Sequence, residues 1–141
     1  YDWVDQGQQE FTLVLLPHLG DWRDTDLVQR ARALNLPLVP VTSHAHPGRR
    51  PAVDSLMRLE APELELTALK PAEDGPGFVV RLADRHGRGG AGRLIWQGRA
   101  FEIALSPFEA GTWRLWQANG DWQLTPCDMI ERVLGSQDVA A

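Results

Sequence analysis

Any chemistry in this chain has to come from a short list of side chains: four histidines, one cysteine, a few acidic pairs and six tryptophans. His44 and His46 are two residues apart, so on an extended segment both imidazoles point to one side, and Asp54 could complete a three-ligand set of the kind zinc uses. They lie in residues 43–51 (SHAHPGRRP), where Pro and Gly leave no rigid element or outer partner to hold an imidazole, so a solvated linker is the better reading. His18 ends an apolar run and reads as a histidine that hydrogen-bonds its turn, while His86, in Asp84-Arg85-His86-Gly87, reads as exposed. Glu73 and Asp74 are adjacent, whereas glycosidase carboxyls face the sugar from separate supports; Asp74-Gly75 reads as a turn. Cys127 has no neighbouring histidine or basic residue to favour a thiolate. The glycines after Gly87 lead into a second strand rather than a helix, so no phosphate-holding helix start follows them.

The tryptophans support a different chemistry, because flat sugar faces stack on aromatic rings. Trp113, Trp116 and Trp122 are the candidate platform. On a regular strand Trp113 and Trp116 face opposite sides, and Trp122 follows the Asn119-Gly120 turn. The competing reading, core packing and contact with a neighbouring domain, is favoured because tryptophan is usually largely buried.

These residues need elements to position them. Residues 10–16 are almost continuously apolar, as in a strand covered on both faces, until Pro17 stops it. Asp21 or Asp24 can cap a short helix in which Leu27, Val28, Ala31 and Leu34 recur at helical spacing as far as about Asn35. Residues 36–42 (LPLVPVT) read as an extended edge segment, since two prolines exclude a helix interior. After the linker the period changes to two. Leu64, Leu66 and Ala68 are expected on one face, as are Phe78, Val80 and Leu82. Further short strands are expected over 94–96, 101–105 and 112–116, and residues 126–135 as a short helix or a last strand. The expected fold is mainly β, an antiparallel β-sandwich with one short helix in the N-terminal part.

Bulk properties narrow the function classes. The chain has 141 residues and is 43% hydrophobic, enough for a core. Its net charge of -5 argues against a nucleic-acid or anionic membrane surface, and the basic stretch from Arg81 to Arg93 is broken by Gly and Asp, as in a solvated hairpin. One cysteine excludes an internal disulfide and fits a cytoplasmic protein. No apolar run approaches the roughly 20 residues of a membrane span, and the opening Tyr1-Asp2-Trp3-Val4-Asp5 does not read as a signal peptide. It also lacks Met, so the chain is expected to be a fragment or a processed product.

Taken together and in order, several strings resemble the C-terminal part of glycoside hydrolase family 38 α-mannosidases. They run from Asp5 (DQGQQEFTL) through Leu16 (LPHLGDWR) and Ala33 (ALNLPL). They continue at Ala68 (ALKPAEDG), Val80 (VRL) and Ser106-Pro107-Phe108-Glu109, followed by Thr112 and a strand. The family often has His where Gln9 stands here. The resemblance implies that residues 1–42 are the end of a large β-sandwich domain plus a short connecting helix, 43–54 a linker, and 55–141 a small C-terminal sandwich. It implies a parent enzyme that hydrolyses α-mannosidic bonds in mannose-containing glycans. The catalytic Asp nucleophile and the zinc would sit in a domain absent from this chain, and no catalytic, metal or cofactor residue carries over. His18 and Trp22 become candidate domain-interface residues. The implied partners are the parent's catalytic and helical domains, with a homo-oligomer as a further expectation.

Overall fold

The computed structural model of the chain describes residues 6–134; Asp5 of the first family string and Gly135 of the expected tail element lie outside them. Two compact units divide at Thr42 and Ser43. No helix is long and apolar enough to cross a membrane.

In the first unit, Asp21 caps a 3-10 turn, Trp22–Asp24, by accepting the Arg23 N–H at 2.9 Å. Helix α1, Leu27–Asn35, follows, stiffened by an Asp26–Arg30 pair one turn apart at 2.8 Å. The helix falls where its periodicity placed it. The two flanking strands do not form: among the described residues of this unit none is in a β-strand. Residues 10–16 were expected to be buried, yet Leu13 is 86% and Leu15 90% exposed; in residues 36–42, Leu38 is 97% exposed. An apolar extended segment becomes a strand only when a neighbour supplies its ladder and a second layer covers its faces. The described residues of this unit supply neither.

The second unit is two antiparallel sheets. Its strands are β1 Met57–Glu60, β2 Leu64–Pro71, β3 Phe78–Asp84, β4 Gly90–Trp96, β5 Arg99–Leu105, β6 Ala110–Ala118 and β7 Asp121–Cys127. One sheet has the order β1-β4-β5 and the other β2-β3-β6-β7. The inward-facing residues of each strand make one core: Val80 and Leu82 from β3, Leu94 and Trp96 from β4, Ile103 and Leu105 from β5, and Leu115 from β6. Arg81, Arg93, Glu102 and Arg114 stand between or beside them on the outward side, which is why a period of two reported the strands. Two-residue turns at Gln97-Gly98 and Asn119-Gly120 close hairpins; all four residues have positive φ, the backbone that right-twisted strands require.

Two readings change here. Ala68 does not share the face of Leu64 and Leu66. A bulge falls between Leu66 and Ala68, so Leu66 pairs with Leu82, Ala68 with Arg81, and Leu69 with Val80. The extra residue, Thr67, donates its hydroxyl to the Arg81 carbonyl at 3.1 Å. The tail is also neither helix nor strand beyond Cys127. It is a tight turn closed by Asp128 N–H to the Arg132 carbonyl at 2.9 Å, with a single bridge between Cys127 and Val133.

Candidate functional site

The histidines stay apart from any catalytic partner set. His18 is exposed in the first unit. Beside it, Asp21 pairs with Arg23 at 3.0 Å and the Arg23 guanidinium lies 4.8 Å above the half-buried Trp22 ring, so the polar groups of this turn are spent on one another. His44 and His46 are exposed; the His46 Nδ1 lies 2.8 Å from the His44 carbonyl, and Asp54 pairs with Arg50 instead of approaching them. Among the described residues, no group of three or more His, Cys, Asp or Glu is placed to hold a metal ion.

His86 departs from its expected exposure. Its side chain is only 19% exposed, with Nδ1 3.6 Å from the Glu63 carboxylate. Next to it stands Asp84, which the sequence placed in the same turn. The buried Asp84 carboxylate accepts the N–H groups of His86, Gly87, Gly89 and Phe108 at 2.9 to 3.1 Å, tying the β3–β4 turn to the Ser106-Pro107-Phe108-Glu109 turn. Burial alone would raise its pKa, but the four donors outweigh that and hold it below the usual aspartate value. All four donors are backbone N–H groups of the two turns it joins, so this carboxylate anchors structure.

The remaining chemical candidates are likewise occupied. Glu73 accepts from Lys70 at 2.6 Å, and the Arg114 guanidinium donates to the Asp74 carbonyl. The basic stretch is matched by acids: Arg85 pairs with Glu65 at 3.0 Å and Arg93 with Glu60 at 2.7 Å. Burial pushes the Cys127 thiol up, the opposite of an activated nucleophile.

The tryptophans divide between the two faces of the larger sheet. Trp113 pairs with Val80 and packs on the core. Trp122 packs there too, its ring 5.5 Å from Trp96 and 6.4 Å from Phe78. Trp116 is on the opposite face, 36% exposed, and its Nε1 donates to the Thr125 hydroxyl at 3.1 Å. The structure therefore separates the three rings; they do not make one platform.

What the molecule presents most openly is apolar surface in the first unit. Phe11, Leu13, Val14, Leu15, Leu36 and Leu38 are all exposed, and no described residue of this unit is buried. Between Thr12, Val14 and Leu16 and the α1 residues Leu27, Ala31 and Leu34 runs an open, mainly apolar groove of about 530 Å³. Such a surface is suited to contact with protein rather than to acid–base or nucleophilic chemistry.

No protein-family profile matches the chain, and no solved structure does. Two curated proteins do. It is 36% identical over 88 residues to Alpha-mannosidase 2C1 of Homo sapiens, a match covering 60% of this chain and 8% of that protein. It is 34% identical over 90 residues to Alpha-mannosidase 2C1 of Mus musculus, again covering 60% of this chain and 8% of the relative. The chain thus spans about one-twelfth of the length of the curated relatives it matches. The resemblance read from its ordered motifs is borne out: over 60% of its length the chain is similar to an α-mannosidase, and its second unit has the two antiparallel sheets of a β-sandwich.

Proposed function

We propose that this chain is a non-catalytic C-terminal region of an α-mannosidase-like glycoside hydrolase and that its role is architectural. The small sandwich folds around its own core, and the first unit docks onto other parts of the enzyme. In this reading the parent acts in the cytoplasm on α-mannosidic bonds of mannose-containing glycans. The zinc and the nucleophile belong to the parent's catalytic domain.

One observation carries the proposal. The apolar stretches of the first unit have the composition of doubly covered strands but have neither ladder nor cover, with Leu13 86% and Leu38 97% exposed. Side chains of that kind gain about 1.5 to 3 kcal/mol each when buried, so a docking partner recovers a large driving force. Replacing Leu13 and Leu38 together by Ser tests it. Dye binding and self-association of the isolated chain are expected to fall while the unfolding temperature of the sandwich is unchanged. A drop of several degrees would mean that the two leucines already belong to a core, and would sink the docking reading.

A second reading is sugar binding. Trp116 favours it, because its ring is exposed on a sheet face and the Thr125 hydroxyl lies beside its Nε1. Titration with mannosides distinguishes the two readings: stacking on Trp116 shifts its emission, and Trp116→Ala abolishes the shift.

A further inference from the structure

Beyond β7 the chain folds back across the outer face of the larger sheet. The outward residues of that sheet include Lys70, Arg81, Thr112 and Cys127, as the strand registers place them. Besides the Cys127–Val133 bridge and the Leu134 N–H donated to the Pro126 carbonyl at 2.9 Å, three side chains tether residues 128–134 to this face. The Arg81 guanidinium donates to the Met129 carbonyl at 3.0 Å, and the Thr112 hydroxyl lies 3.4 Å from the Met129 sulfur. The third is the Glu131 carboxylate, with a side chain only 7% exposed. It accepts the Glu73 N–H at 3.0 Å and pairs with Lys70 Nζ at 2.5 Å. Glu131 has a φ of 71°, which a residue with a Cβ holds only when its surroundings impose it. Cys127 and Thr112 lie at the foot of this turn and are each 4% exposed.

We propose that residues 128–134 form a strap latched by the Glu131 carboxylate. Ionised, the carboxylate holds the strap shut over Cys127. Once it is protonated or removed, the strap lifts while both sheets stay folded. The latch makes access to the thiol conditional on acid, and it is independent of the docking role.

The surrounding charges fit this direction. The Glu73 N–H, then the Lys70 ammonium, hold the Glu131 carboxyl below the usual glutamate range, with Arg114 contributing less. Lys70 is raised in turn, first by Glu131 and then by Glu73. Arg81 reaches the strap from β3. Within the strap, Asp128 accepts the N–H groups of Ile130 and Arg132 and is a second acid, with Arg132 the nearby cation. A folded-state pKa below the unfolded value gives a contribution that is complete above the ordinary glutamate pKa and is lost as pH falls through the folded value. The latch therefore opens below pH 4.5 and is shut at neutrality.

Cys127 is the only cysteine, so its reaction with a dipyridyl disulfide reads the strap directly in the full chain. The sulfur forms a mixed disulfide and thiopyridone leaves; rates are taken relative to the urea-unfolded chain at the same pH. At pH 7, Glu131→Gln is expected to react about tenfold faster than the unaltered chain, with unchanged tryptophan emission, because protection tracks the population of the locally open form. Glu131→Gly removes both the carboxylate and the left-handed strain, and is expected to be as fast. The idea is overturned if Glu131→Gln is no faster, or if Glu131→Gly is slower than the unaltered chain. It is also overturned if the thiol reacts in acid only in step with loss of the tryptophan signal, which would mean that it is reached by unfolding the sandwich.

Discussion

The Asp84 carboxylate accepts the backbone N–H of Phe108 at 2.9 Å across 24 residues of sequence. That bond, with three others to the β3–β4 turn, makes one buried charge the junction of two loops at the end of the sandwich. Replacing Asp84 by Asn sets an amide NH2 against backbone donors. Chemical denaturation at pH 7 is expected to show a loss of about 2 to 4 kcal/mol. The carboxylate is held below its ordinary value of 3.8, so its contribution is complete above that pH and is lost below it. The difference between the variant and the unaltered chain is therefore expected to shrink as pH drops toward 3. A difference of constant size would remove the role assigned to the charge.

Phe108 also roofs Gly87. A Cβ added at Gly87 would lie 2.1 Å from the Phe108 ring, at a φ of 71°. Gly87→Ala is expected to cost about 1 to 3 kcal/mol by denaturation. In a Phe108→Ala background the cost should fall to that of the backbone strain alone, about 1 kcal/mol. Equal costs in the two backgrounds would show that the ring moves aside freely.

The tryptophans should separate by stability. Trp122 stands edge-on to Trp96, 5.5 Å away, at the rim of the core, so Trp122→Ala is expected to cost about 2 to 4 kcal/mol. Trp116→Ala loses a partly exposed ring and one hydrogen bond, and should cost about 1 kcal/mol. Thermal unfolding of the two variants side by side decides this. A larger loss at Trp116 would contradict the assignment of the two faces.

Much of the sandwich was legible in advance because a half-buried strand writes its burial as alternation: Val80 and Leu82 inward, with Arg81 between them. The bulge at Thr67 was not legible, because one extra residue leaves composition untouched while moving Ala68 to the other face. β7 was hidden by Pro126, tolerable because β7 is an edge strand. Asp84 and Glu131 were missed for a common reason. Each has a partner far along the chain, Phe108 24 residues from Asp84 and Glu73 58 residues from Glu131, and no local pattern marks an acid that distant chain will bury. In the first unit residues 10–16 read as a buried strand and are neither strand nor buried, because a strand also needs a neighbour and sequence periodicity does not report whether one is present. The ordered family strings carried what periodicity could not, the kinship with α-mannosidases.

The most direct test of the account is hydrolysis of a chromogenic α-mannoside by the purified chain supplied with zinc. The expected result is no release of chromophore above a heat-inactivated sample, because no described group of side chains is arranged to hold the metal or attack the sugar. Zinc-dependent turnover that survives purification to a single species would contradict it, and would place an active site within these 141 residues.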